Sequence, residues 1–188
     1  VENPWFTQEN IRFCFKNWAD VLTEENIKNW LAEYQVSQQS KKVGLILAGN
    51  IPLVGFHDVM CVILSNHIPL IKLSSKDRLL LPFFLKKWGE FSEWNLEFQI
   101  VERLTEYDAV IATGSNNTAR YLEYYFKDSL SIIRKNRTSV AVIKGDETDE
   151  ELQLLAEDIF RYFGLGCRNV TRLLIPKDYE LSRLFENF

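Results

Sequence analysis

The 188-residue chain is 46% hydrophobic and 26% charged, with a formal charge of −4 and both signs interspersed. That composition is globular, not disordered, and lacks the concentrated basic face of a nucleic-acid groove. No apolar run approaches the ~18 residues of a membrane span, and no secretory signal opens the chain.

Chain order gives two short helices first. Thr7 and Thr23 are N-caps. Each follows an apolar residue, Phe6 or Leu22, that is matched by an isoleucine five positions on, Ile11 or Ile27, as in a hydrophobic staple. Helices are predicted over 7–19 and 23–34, then a polar connector over 35–42. The grammar then changes. Val-Gly-Leu-Ile-Leu-Ala over 43–48 is a continuous apolar run, as expected of a parallel strand covered on both faces. Gly49-Asn50-Ile51-Pro52 interrupts it. Next come a helix over 53–66, a strand over 69–73, a helix over 76–88, strands over 97–101 and 109–112, a helix over 115–126 capped by Ser115, and a short strand over 131–133. The alternation predicts right-handed βαβ units and a doubly wound parallel sheet, an α/β fold. From 140 a second unit follows: strand 140–143, the capping box Thr148 to Glu151, a helix to Phe163 stopped by Gly164, strand 171–175, and a further helix after Pro176. The chain begins at Val1 without an initiator Met and stops inside that last helix, so a fragment of a larger protein is expected.

Cys14, Cys61 and Cys167 are odd in number, widely spaced and form no CxxC pair. His57 and His67 stand apart from any ligand cluster and are expected, with Asp58, in core or cap roles on the first crossover helix. Neither a disulfide frame nor a metal site is predicted, and the expected location is a reducing cytoplasm.

Ligands of open α/β sheets bind beyond the carboxyl ends of the strands. Three loops lie there, over 49–52, 74–77 and 113–116, rich in residues that donate hydrogen bonds without bulk. The helix start at Ser115 suits a phosphate, although neither GxGxxG nor GxxxxGK[ST] is present. Asn50 also suits a plain turn, and Ser115 a simple cap. Cys167 stands out as a thiol after Gly164-Leu165-Gly166, in a loop poor in side chains that lets a carbonyl approach. The bland reading is a small buried hydrophobe.

These segments carry a resemblance. Leu47-Ala48-Gly49-Asn50-Ile51-Pro52 through Pro69-Leu70-Ile71-Lys72-Leu73-Ser74-Ser75 resembles the Asn-x-Pro loop and cofactor-lysine strand of the aldehyde dehydrogenase superfamily. Ala112-Thr113-Gly114-Ser115 is similar to its Thr-Gly-Ser turn, and Gly164-Leu165-Gly166-Cys167 to its Gly-x-x-Cys nucleophile loop. Within the superfamily the whole run, including Asp158 to Val170, resembles the acyl-CoA reductase family of LuxC type, best known from bacterial luminescence. The resemblance implies an aldehyde-dehydrogenase-like fold: an N-terminal helical segment (1–40), a Rossmann-like dinucleotide-binding domain (41–138) and the beginning of a Cys-bearing catalytic domain (139–188). It implies Cys167 as nucleophile, with the Asn50 amide and the Cys167 backbone N–H as oxyanion donors. Lys72 is implied at the cofactor's adenosine ribose, and Thr113, Gly114 and Ser115 at its pyrophosphate.

Two departures sharpen this. Where NAD-preferring members carry Glu three residues after the lysine, this chain has Ser75, followed by Lys76. A carboxylate lost and a cation gained favour a 2′-phosphate, so NADPH is the expected cofactor; the alternative has Lys76 as a solvated helix-start lysine. Where hydrolytic members carry a general-base Glu, the corresponding stretch is Ile132-Ile133-Arg134-Lys135-Asn136-Arg137, without an acid. An acyl group that arrives as a thioester for reduction needs no activated water. Arg134, Lys135 and Arg137 either attract the phosphates of coenzyme A or form a solvated rim. One point opposes the reading: a thiol just past a helix C-terminus faces the negative end of the dipole. The resemblance thus implies reduction of a long-chain fatty acyl-CoA to the aldehyde through a Cys thioester. Its partners would be the acyl-CoA and either a second copy or acyl-transfer enzymes. A reductase of acyl-phosphate or acyl-protein, or a nucleotide-binding scaffold with an inert Cys167, are the alternatives.

Overall fold

The computed structural model describes residues 3–92 and 96–188 and divides into two compact units, Val1–Lys135 and Asn136–Phe188. In the first unit two helices lead, α1 (Gln8–Val21) and α2 (Glu24–Leu31). Thr7 and Thr23 cap them, their side chains accepting from the amides of Asn10 and Asn26. Five parallel strands follow: β1 (Lys42–Ile46), β2 (Ile68–Lys72), β3 (Gln99–Ile100), β4 (Ala109–Thr113) and β5 (Leu130–Arg134). Their order is β3-β2-β1-β4-β5. It is the doubly wound order in which the connection reverses direction between β1 and β4.

Burial explains the apolar run of the central strand. Leu45 of β1, Ile71 of β2 and Ala112 of β4 have no exposed surface. Helix α3 (Phe56–Leu64) packs on β1 and β2. Its Phe56 meets Trp18, Phe84 and Trp88 edge to face, at centroid distances of 4.9, 4.8 and 5.6 Å. Helix α5 (Asn116–Tyr125) covers the β4–β5 side, where Val110, Ala112 and Phe126 pack with Leu104, Tyr107 and Leu122. Pro69 sits ahead of the β3 pairing, which begins at Leu70, so its missing N–H costs no ladder bond there.

Several helix boundaries differ from the sequence expectation, and three of them have a visible cause. Helix α3 starts at Phe56, not at 53, because Leu53 adopts a left-handed conformation (φ 52°) after Pro52. Helix α4 (Leu80–Phe91) starts four residues later than expected. The buried Asp77 carboxylate accepts from the amides of Leu80 (3.0 Å) and Leu81 (3.3 Å), which fixes the first turn. Pro82 then falls within that turn, where an N–H has no helical partner to lose.

The second unit is a βαβ element. Strand β6 (Ser139–Val142) pairs in parallel with β7 (Val170–Leu174), and α6 (Asp149–Phe160) connects them. The capping box is formed: Thr148 accepts from the Glu151 amide, and the Glu151 carboxylate accepts from the Thr148 amide. Leu152 of α6 is fully buried, and α7 (Ser182–Asn187) packs on that helix through the buried Leu184. Helix α6 ends at Phe160 and not at Phe163. Arg161 to Gly164 form a tight turn in which Tyr162, Phe163 and Gly164 are all left-handed. Among the described residues no helix is long and apolar enough to cross a membrane.

Candidate functional site

The strand register gathers the first-unit residues on one edge. Ile46 aligns with Lys72 on one side and with Ala112 on the other. The segments leaving β1, β2 and β4 therefore emerge side by side at the carboxyl end of the sheet. These segments carry Asn50, then Ser75 and Lys76, then Thr113, Gly114 and Ser115. Cys167 belongs to the second unit.

Asn50 is half-buried in a loop fixed from several directions. A Cβ on Gly49 would lie 2.7 Å from both Cβ and Oγ of Ser74 and 3.1 Å from the Asp77 amide nitrogen, so the β1 and β2 loops touch where glycine leaves room. The buried Asn3 donates from its side-chain amide to the carbonyls of Gly49 (3.5 Å) and Lys76 (3.1 Å), joining the same two loops. From α1, the buried Cys14 thiol donates to the Pro52 carbonyl (3.3 Å). Asn3, Cys14 and Asp77 escape sequence reasoning because their partners are distant or carry no motif.

Lys72 ends β2, its ammonium donating to the Glu102 carbonyl at 2.9 Å. Ser75 and Lys76 are exposed in the turn that follows, so Lys76 is a turn residue and not the start of a helix. Thr113 closes β4 opposite Arg134. A Cβ at Gly114 would meet the Thr118 side chain at 2.9 Å, so this glycine serves close strand–helix packing. The Ser115 Oγ accepts from the Thr118 amide (3.2 Å) and lies 2.9 Å from the Thr118 hydroxyl. The cap reading of Ser115 is thus realised, and a helix start of this kind suits an anion. Lys72, Lys76, the serine hydroxyls and a helix start, with no carboxylate between 72 and 76, make a donor set that fits a phosphorylated dinucleotide.

The basic stretch is largely structural. Arg134 forms an ion pair with the buried Asp58 of α3, and Lys135 one with Glu123 at 2.7 Å. His57 sits 3.6 Å from Asp58 and 3.6 Å from the Cys61 sulfur. His67 lies beyond the end of α3, where its Nδ1 accepts from the Lys41 amide at 3.2 Å. The hydrogen bond to Asp58, aided by Cys61, raises the His57 pKa to about 9. Burial pushes Asp58 up, but hydrogen bonds from His57 and Arg134 outweigh it and leave the carboxyl below its usual range. The signs set a window. The His57 contribution to stability is complete below pH 6.5 and is lost as pH rises through about 9. The Asp58 contribution is present above pH 3.8 and is lost as pH falls through its lowered value. Calorimetry should therefore show a melting temperature that declines between pH 6.5 and 9 and declines less in His57→Gln. An identical decline in that variant would refute the assignment.

In the second unit Cys167 is exposed, second in a four-residue turn closed by the Asn169 amide donating to the Gly166 carbonyl (3.1 Å). No group of three or more His, Cys, Asp or Glu among the described residues could hold a metal ion.

Solved structures place this architecture. A gamma-glutamyl-gamma-aminobutyraldehyde dehydrogenase from Burkholderia cenocepacia matches with a TM-score of 0.64 at 16% identity, over 86% of this chain and 40% of that one. Aldehyde dehydrogenase C from Pseudomonas syringae, a mutant complexed with NAD+ and octanal, gives 0.65 at 17% identity over 85% and 37%. An NAD+ complex of an aldehyde dehydrogenase from Bacillus cereus gives 0.65 at 17% over 85% and 38%. The chain thus has the aldehyde-dehydrogenase-like α/β fold and spans about 40% of the length of the first of these enzymes. No curated protein sequence matches it. The sequence pattern of the acyl-CoA reductase (LuxC) family matches residues 19–182, and the chain belongs to that family.

Proposed function

We propose that the chain is the cofactor-binding part and the start of the catalytic part of an NADPH-dependent fatty acyl-CoA reductase, with Cys167 as its acyl acceptor. The observation that carries this is the convergence of Asn50, Lys72, Ser75–Lys76 and Thr113–Ser115 on one sheet edge, in a chain of this family. Aldehyde dehydrogenases of the same fold in complex with NAD+ support a nicotinamide dinucleotide as cofactor.

In this reading the Cys167 thiolate attacks the thioester carbonyl. A new C–S bond forms while the Asn50 amide and the Cys167 backbone N–H hold the oxyanion. The tetrahedral adduct collapses with loss of the coenzyme A thiolate, a good leaving group that needs little acid assistance. A bound nicotinamide supplies the hydride that reduces the enzyme thioester. The resulting hemithioacetal releases the aldehyde and frees the thiol. Lys72 binds the adenosine ribose, and the α5 start the pyrophosphate. Lys76, beside Ser75 and followed by an Asp77 whose buried carboxylate is turned onto the amides of Leu80 and Leu81, would receive a 2′-phosphate.

The test is covalent. The full chain is mixed with radiolabelled palmitoyl-CoA without cofactor, denatured and mapped; acid-stable label is expected on the peptide containing Cys167. Absence of label on the protein would overturn the reading. For the cofactor, fluorescence titration should show NADPH binding more tightly than NADH. Lys76→Glu should narrow the gap by roughly tenfold, about 1.4 kcal/mol. A preference for NADH that Lys76→Glu leaves unchanged would refute the 2′-phosphate argument.

A further inference from the structure

Resting on the reading of Cys167 as acyl acceptor, we infer that Asn169 is the positioning residue of that thiol, a side chain that pins the Cys167 turn to the end of α6. The last carbonyls of a helix have no intrahelical N–H partner. The two N–H groups of the Asn169 side-chain amide supply that need at α6. They are shared among the carbonyls of Asp158 (2.9 Å), Ile159 (3.2 Å) and Arg161 (3.0 Å). The backbone N–H of the same residue donates to the Gly166 carbonyl at 3.1 Å and closes the turn that carries Cys167. One residue therefore fixes the loop at both ends, to the helix behind it and to the glycine ahead of the thiol.

The connecting backbone needs such a brace. Tyr162 (φ 57°) and Phe163 (φ 59°) are left-handed without being glycine, and Gly164 (φ 67°) continues the left-handed run. Non-glycine residues in that region cost about 1–2 kcal/mol each, so local preference does not hold this path. The Asn169 bonds hold it from outside. They also place N–H donors on the carbonyls that make up the negative end of the α6 dipole, which answers the electrostatic objection raised by the sequence. An aspartate here would lose the donors and set a carboxylate against carbonyl oxygens.

The experiment follows single-turnover acylation of Cys167 by palmitoyl-CoA in the full chain, comparing wild type with Asn169→Ala, Asn169→Asp and Asn169→Gln. Amide exchange of the β6–β7 ladder and of α6 around the buried Leu152 reports unfolding of the second unit in the same samples. The expected result for Ala and Asp is a maximal acylation rate about 10- to 100-fold lower, the effect of a misplaced reacting atom. The half-saturating palmitoyl-CoA concentration should stay within about twofold, the β6–β7 ladder should remain protected, and Gln should recover part of the rate. Two results would overturn the inference: a maximal rate within about threefold of wild type, or a loss that tracks exchange of the β6–β7 ladder. If wild type itself takes no acyl label, the nucleophile reading falls. Amide exchange over 161–169 then decides the brace: at least tenfold faster exchange in Asn169→Ala supports it, and unchanged exchange removes it.

Discussion

Replacement of Cys167 by alanine is expected to abolish covalent acylation and to lower aldehyde formation by four orders of magnitude or more. The magnitude follows from covalent catalysis, in which deleting the nucleophile removes the whole two-step route; in a serine protease the comparable loss is about 10⁶. The other two thiols are poorly placed to take over. Cys14 is buried, with its sulfur donating to the Pro52 carbonyl. Cys61 is half-buried on α3 beside His57. Because Cys167 is exposed, alanine there should leave stability within about 0.5 kcal/mol of wild type. Loss of activity without loss of melting temperature is thus the signature. Label that persists in Cys167→Ala and maps to Cys61 would move the nucleophile to α3.

Asn50→Ala is expected to reduce the maximal rate of aldehyde formation by about 10²–10³, the typical cost of deleting one oxyanion donor. The Michaelis constant for acyl-CoA should change by less than about threefold, because the donor acts on charge that develops only in the transition state. Asn50→Asp keeps the shape and removes the donor, so it should be as poor as Ala. The expectation gains force from the way the loop is held. Gly49 is wedged against Ser74, Asn3 ties Gly49 to Lys76, and Leu53, 1% exposed, locks the left-handed exit. A donor in a preset loop needs no reorganisation as the reaction proceeds, which is what makes such a group effective. Steady-state kinetics of both variants decides the matter. A rate within threefold of wild type in either would remove Asn50 from the chemistry.

What the sequence displays depends on how local the cause is. Thr7, Thr23, Ser115 and the Thr148–Glu151 box declare their helices because each cap bonds an amide three residues away. The apolar run of β1 declares a buried parallel strand for the same reason: its pattern is contiguous. The α4 start was hidden because Lys76-Asp77-Arg78 reads as a charged first turn, while Asp77 in fact folds its buried carboxylate forward onto Leu80 and Leu81. The two braces of the candidate site are invisible for a different reason. Asn3 reaches the β1 and β2 loops across 46 and 73 positions, and Asn169 reaches back to carbonyls eight to eleven positions earlier. Neither pairing leaves a periodic trace. The Asp58–Arg134 pair spans 76 positions and engages an arginine that sequence alone assigns to a solvated rim or to coenzyme A phosphates.

The strand order carries a consequence for how the chain is made. The central strand β1 leaves the ribosome before either neighbour: Lys42 must wait for Ile68, and Val43 for Ala109. Throughout that interval Val43 to Leu47 is an uncharged apolar stretch whose two hydrogen-bonding edges are closed in succession, first by β2 and much later by β4. Its exposure to other nascent chains is therefore set by translation speed between 47 and 113, a span in which any pause prolongs the life of an unpaired, aggregation-prone edge.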